Sequence, residues 1–111
     1  MLGQLFIDNE NIGEVNFEFF DESMGVIGGK LLPNANYRKY QSTIQEHFER
    51  NGISNIHDFN YKIFIDNLEL KPEGGIGVTD SKEFNEIFVE SGGLDEITLE
   101  KLRLHSSNNQ L

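Results

Sequence analysis

The sequence predicts an α+β fold in which one amphipathic helix, about residues 35–50, packs on one face of a twisted antiparallel sheet of about five to seven strands. Two observations favour this class: a helical stripe of large apolar side chains, and short apolar segments bounded by turn residues on both sides of it. The 111 residues are enough to bury one core without cross-links. We therefore expect a single domain over residues 1–111, with a flexible tail at residues 105–111.

The helix is the most regular feature of the sequence. At 100° per residue, four large side chains fall on one stripe: Tyr37, Tyr40, Ile44 and Phe48. Pro33 is a natural end for the preceding strand, because it cannot donate to a sheet ladder. Asn34 or Asn36 can cap the helix, and Gly52 follows where a left-handed residue is favoured. Burial of this stripe against the sheet is expected to be the main contribution of the helix to the stability of the fold.

Three strands are predicted before the helix. Residues 5–7 form a short apolar strand, and residues 13–19 alternate apolar and polar side chains as a half-buried strand does. Residues 24–32 form the third strand, with Gly28 and Gly29 in its middle. Paired glycines weaken a strand unless they serve a bulge or a close backbone approach, and we expect a bulge here.

The remainder of the chain predicts more strands and a final helix. Strands are expected at residues 59–65, 68–71, 76–79 and 86–90. Asp66-Asn67 predicts a two-residue hairpin turn, and residues 94–104 predict a C-terminal helix with Asp95 as its cap. No internal repeat is evident in the sequence.

Composition excludes several classes of function. A net charge of −10 argues against nucleic-acid binding, which requires a surface rich in Lys and Arg. The absence of cysteine excludes disulfides and thiolate metal sites. No segment approaches the roughly 18 apolar residues of a membrane helix, and the first residues do not form a basic leader. These features predict a bacterial cytoplasmic protein without a membrane partner.

Motifs for chemistry are incomplete when their mechanics are considered. Residues 25–30 suggest a phosphate-binding loop, but its first glycine is missing and Leu31 replaces the Ser/Thr ligand. Residues 8–19 resemble a calcium loop that has lost two oxygen ligands. The histidines, His47, His57 and His105, have no metal-ligand spacing. We therefore predict no catalytic residues, no cofactor and no metal site.

Two glycine-containing acidic loops, residues 21–25 and 71–80, are the candidate functional surface. Their ordinary interpretation is as turns, and their functional interpretation is as one end of the sheet that presents carboxylates to a basic protein. The predicted partner-binding residues are Asp21, Glu22, Glu73 and Asp80. Charge reversal at these positions is expected to slow association with the partner.

The order of a Gly-rich strand, Pro, a Tyr-initiated helix and a later Leu-x-Pro-x-Gly-Gly-Ile-like segment resembles small uncharacterised bacterial single-domain proteins over about residues 12–93. This pattern of structural residues implies no site. Small, acidic, cysteine-free domains also resemble immunity proteins, which implies a non-enzymatic inhibitor of a basic toxin. The alternatives are a small enzyme or ligand-binding domain that uses the Gly-rich acidic loops, and a homo-oligomeric structural protein assembled through a sheet edge.

Overall fold

The computed structural model describes residues 1–51 and 59–109 and confirms the α+β class. The described residues form eight strands and two α-helices. The strands are β1 (Leu2–Ile7), β2 (Glu10–Asn16), β3 (Glu18–Asp21), β4 (Val26–Pro33), β5 (Tyr61–Ile65), β6 (Leu68–Glu69), β7 (Gly75–Asp80) and β8 (Ile87–Gly92). The helices are α1 (Arg38–Asn51) and α2 (Glu96–Asn109), and short 3₁₀ turns occupy Glu22–Met24 and Ala35–Tyr37.

All strand pairs described are antiparallel, and the sheet curls into a half-barrel with the order β6-β5-β1-β2-β4-β8-β7. The remaining strand, β3, pairs with β4 beside the end of β2. The single strand predicted over residues 13–19 is therefore two strands separated by Phe17, whose side chain is buried. This division lets one long strand, β4, pair first with β3 and then with β2.

The hydrophobic core lies between the inner face of the sheet and the two helices. Alternate residues of the strands point inward, as the period of two requires, and include Leu5, Val15 and Ile63. Ile44 of α1 and Leu102 of α2 are also fully buried in this core. Removing such side chains from water stabilises the fold by roughly 1.5–3 kcal/mol each. The predicted packing of the main helix on one face of the sheet is confirmed.

Both helical segments begin at capping side chains. The Asn34 side chain accepts a hydrogen bond from the backbone N–H of Asn36 at 2.9 Å, which initiates the turn leading into α1. The Asp95 carboxylate accepts one from the backbone N–H of Thr98 at 2.7 Å, so the predicted cap of the C-terminal helix is confirmed. Hydrogen bonds from the Thr98 side chain and backbone lower the pKa of Asp95 below its ordinary value. Gly52, the expected C-terminal residue of the first helix, lies outside the described residues.

Gly28 and Gly29 serve close approaches, and the predicted bulge in their strand is wrong. A Cβ on Gly29 would lie 2.4 Å from the backbone oxygen of Asn16, so a larger residue would displace β2. The pairing of β4 with β8 runs without interruption through both glycines. The irregularity is in the partner strand β3, where Phe19 and Asp21 face consecutive residues of β4 and Phe20 is the extra residue.

The end of the chain is more regular than expected. Helix α2 continues to Asn109, so residues 105–109 of the predicted tail are helical. Neither helix in the described part of the chain is long and apolar enough to cross a membrane.

Candidate functional site: the outer face of the sheet

The outer face of the sheet carries large aromatic side chains among carboxylates. Neither described helix covers this face, so the rings are exposed to solvent. On this face β3, β4 and β8 run side by side. Four residues at its centre form what we call the aromatic–acidic face: Glu18, Phe20, Phe88 and Glu90. Solvated outer faces of antiparallel sheets are ordinarily polar, so exposed aromatic rings at this place are a feature to explain.

Phe20 and Phe88 form a stacked pair at the centre of this face. Their ring centroids lie 5.6 Å apart with an interplanar angle of 12°, and Phe20 is 46% exposed. The bulge in β3 directs the Phe20 ring across β4, where it lies over Gly28. A Cβ on Gly28 would lie 2.6 Å from the Phe20 ring, so only glycine at this position allows the ring to lie flat on the sheet.

Two exposed carboxylates flank Gly28. In the register of the sheet, Gly28 pairs with Glu18 on one side and with Glu90 on the other. Adjacent strands are about 4.8 Å apart, which places the two glutamate backbones roughly 10 Å from each other across the glycine. Neither carboxylate has an ion-pair partner within the described residues. Their charges are therefore available to an incoming cationic group.

The surroundings of this face extend both its apolar and its acidic character. Lys30 pairs with Phe88 in the register of the sheet, and its ammonium group forms an ion pair with Glu86 at 3.5 Å. Phe84, in the connection between β7 and β8, is 70% exposed and lies with Phe88 in a shallow depression beside the start of β8. Leu32, further along β4, is also exposed and pairs with Glu14. This side of the molecule thus carries exposed apolar side chains, and the carboxylates around them outnumber the ammonium groups.

The structure brings residues 21–25 and residues 71–74 together at one end of these strands, whereas residues 75–80 of the second predicted loop form strand β7. The backbone N–H of Gly93 donates to the Met24 carbonyl at 3.1 Å, and the N–H of Glu73 donates to the Gly93 carbonyl at 3.1 Å. Gly93 has a φ of +79°, a conformation that favours glycine. Asp21 directly follows Phe20, so this loop end adjoins the aromatic–acidic face.

Asp21 and Glu22 also have local structural roles. The Asp21 carboxylate accepts hydrogen bonds from the Ser23 hydroxyl at 2.6 Å and the Met24 N–H at 3.2 Å, and the Ser23 bond lowers the pKa of Asp21 most. Glu22 pairs with Arg103 at 3.1 Å, and this guanidinium also contacts two carboxylates of α2. Glu73 is exposed. Of these three residues, Glu22 is the one whose charge is partly neutralised within the chain.

Asp80 does not belong to the acidic surface. It is the last residue of β7 and only 2% exposed, so its expected role in contacting a partner is corrected by its burial. Its carboxylate accepts hydrogen bonds from the Tyr37 hydroxyl at 2.5 Å, from the Gln45 amide at 3.1 Å and from the Gln41 amide at 3.3 Å. The sequence could not show this, because the three donors are brought to the strand end by the packing of α1.

This buried cluster fixes the start of α1 to the sheet. Burial, and next the hydrogen bond to Asp80, raise the pKa of the Tyr37 hydroxyl above its ordinary value, so it stays protonated and donates. No cation contacts Asp80 within the described residues. Three neutral donors therefore satisfy the hydrogen-bonding capacity of the carboxyl group. This indicates a structural role for the cluster.

The described residues contain no group of His, Asp and Glu side chains that could hold a metal ion. His47 packs edge-on against Phe59, with ring centroids 5.2 Å apart, and His105 lies 2.8 Å from a carboxylate oxygen of Asp66. His57 lies outside the described residues. The glycines of residues 25–30 lie in or next to β4, which leaves no loop there that could wrap around a phosphate.

Sequence reasoning missed the aromatic–acidic face. The signal was present in residues 86–90, where Phe88 occupies the polar position between two buried residues, Ile87 and Val89. A large aromatic side chain on the outward side of a strand is an exception to the binary pattern, and such exceptions mark functional surfaces. The role of Phe20 was not readable, because its direction depends on a bulge.

Comparison of the chain with protein-family models, curated proteins and solved structures gives no match. Its function must therefore be inferred from the chemistry of its own surface.

Proposed function

We propose that this protein is a non-enzymatic binding module that inhibits a basic protein, in the manner of an immunity protein that neutralises a toxin. The observation that carries the proposal is the stacked pair of Phe20 and Phe88, exposed on the sheet between the carboxylates of Glu18 and Glu90. Binding hot spots in protein complexes are typically aromatic anchors surrounded by polar groups that exclude water. The aromatic–acidic face has this composition.

The charge of this face defines the chemistry of the partner. Exposed carboxylates beside the aromatic rings attract Lys and Arg side chains, and a guanidinium can stack on a Phe ring while it pairs with a carboxylate. Asp21 and Glu73 extend the negative field at the adjoining loop end. A net charge of −10 adds long-range attraction, which accelerates association with a basic protein.

The buried polar cluster around Asp80 lies on the inner face of the sheet, opposite the proposed binding surface. The hydrogen bonds to Asp80 hold the start of α1 on the inner face, and the outer face is left uncovered. Side chains on a hydrogen-bonded sheet lose less conformational freedom on binding than side chains on a mobile loop, which favours tight binding. Inhibition then follows from covering the partner's own active surface, with no reaction by this chain.

The experiment is affinity capture from the native host with identification of the retained proteins. We expect the unmodified protein to retain one basic protein, and a variant with Glu18→Lys and Glu90→Lys to lose it, because the charges beside the aromatic pair are reversed. The retained protein should lose its toxic or enzymatic activity when the unmodified module is added in equal amount.

A matched variant with Glu46→Lys and Glu69→Lys makes the same change in net charge on α1 and β6, away from the aromatic–acidic face. Retention by this control, together with loss in the face variant, supports the proposal. Equal retention by both variants would refute the role of the face, and retention of no basic protein would refute the function.

A further inference from the structure

The sequence contains a four-residue repeat that the sequence analysis did not identify. In the structure its two copies occupy symmetric positions in the sheet. Residues 6–9 and 64–67 both read Phe-Ile-Asp-Asn. Each copy ends a strand and forms the two-residue turn into the next one, in the hairpins β1–β2 and β5–β6. Asp8 and Asp66 have φ values of 53° and 54°, and they are the two non-glycine residues with positive φ in the described chain.

The two copies are related by a local two-fold axis. Strands β1 and β5 pair antiparallel, with Leu5 opposite Ile63, and these two residues occupy equivalent positions one before the repeated motif. An axis through this pair exchanges Phe6 with Phe64 and one Asp-Asn turn with the other. The two hairpins thus present the same side chains from opposite ends of one strand pair.

A groove of about 510 Å³ lies on the outer face along these strands. Both copies line it: Phe6, Asp8 and Asn9 from one, and Phe64, Asp66 and Asn67 from the other. The two rings meet edge to face in its middle, with centroids 5.3 Å apart. Glu14 and Lys62 also line the groove. Three carboxylates against one ammonium group make it negative overall.

The distance between the two acidic turns follows from the register. Ile65 pairs with Gly3, so Asp66 lies beside Leu2, six residues along β1 from Asp8. At about 3.3 Å per residue, the two turns are roughly 20 Å apart. An extended peptide spans this distance in about six residues. Close to the middle, Lys62 lies beside Phe6 and Glu14 lies beside Gln4, so their opposite charges offset each other and the unbalanced negative charge is at the two ends.

We propose that this groove binds an extended peptide segment with a basic side chain at each end, about six residues apart, and an apolar stretch between them. The basic groups contact Asp8 and Asp66, and the apolar stretch lies on Phe6 and Phe64. Asp66 already contacts His105, and Asp8 accepts a hydrogen bond from Asn60 at 3.0 Å, so both carboxylates are held in place. This site goes beyond the proposed inhibitor function, since it lies on β1 and β5.

The test uses two capped heptapeptides of identical composition, with arginine at both ends or with both arginines near the middle. Binding is measured from amide NMR shifts at 150 mM salt. The end-charged peptide should bind about tenfold more tightly and shift the amides of β1 and β5. A variant with Asp8→Asn and Asp66→Asn should lose this preference while it keeps its fold, because asparagine tolerates the same left-handed conformation.

The matched control is Glu18→Gln with Glu90→Gln, which removes two carboxylates from another part of the outer face. The preference for end charges should survive in this variant. Equal binding of the two peptides, a preference that persists in the aspartate variant, or full and unselective displacement of both peptides by spermine would overturn the proposal. None of these outcomes bears on capture of a basic protein by the aromatic–acidic face.

Discussion

Replacing Tyr37 by phenylalanine should lower the free energy of unfolding by about 2–3 kcal/mol. The hydroxyl donates to Asp80 at 2.5 Å, and Asp80 is 2% exposed, so no water can easily replace it. The carboxyl group would keep only the weaker amide donors of Gln41 and Gln45. Urea unfolding followed by far-ultraviolet circular dichroism measures the loss.

The chain offers a matched control for this change in Tyr40→Phe. Tyr40 lies three residues after Tyr37, in the first turn of α1, and also donates to a carboxylate, that of Glu10 at 2.7 Å. This bond is only partly buried, and Lys39 also contacts Glu10, at 2.6 Å. Tyr40→Phe should therefore destabilise the protein much less. Equal losses in the free energy of unfolding for the two variants would contradict a special stabilising role for the buried hydrogen bond to Asp80.

Replacing Phe20 by alanine should weaken binding of the basic partner by at least about 2 kcal/mol, a loss of affinity of roughly 30-fold. The ring is the exposed half of the stacked pair, and its removal leaves Phe88 without its aromatic neighbour. Stability should change little by comparison, because nearly half of the Phe20 side chain is already in solvent. Titration calorimetry with the captured partner gives the change in affinity.

Phe84→Ala is the control for loss of apolar surface in general. Phe84 is more exposed than Phe20 and lies in the connection before β8, outside the stacked pair. Its removal should reduce affinity several-fold less than that of Phe20. An unchanged affinity in the Phe20 variant would show that the stacked pair is not the anchor of the complex.

Much of the fold was predictable from sequence, because its determinants are local. The helical stripe, the Asp66-Asn67 turn and the Asp95 cap each depend on a few adjacent residues, and all three are confirmed. The division of one alternating segment at Phe17 was not predictable, because it depends on how β4 divides its pairing between β2 and β3. Periodicity alone gives the face of each side chain, but not the strand that it pairs with.

The candidate site shows the same limit. Asp80 has the sequence context of an exposed turn, and only the approach of α1 makes it a buried acceptor. The sequence places the loops at residues 21–25 and 71–80 at one end of the sheet. Gly93 joins Met24 to Glu73 there, but residues 75–80 form strand β7. The symmetric groove required knowledge that β1 pairs with β5, since the repeat is four residues long and carries no meaning without that pairing.

Hydrogen exchange on the complex with the captured basic protein shows which strands of this chain form the binding surface. We expect slower exchange on binding in β3, in the central part of β4 and in β8, together with the loop end around Gly93. Exchange in α1 and α2 should be unchanged. Protection confined to α1 or α2, with no change in β3 and β8, would contradict the assignment of the aromatic–acidic face as the binding surface.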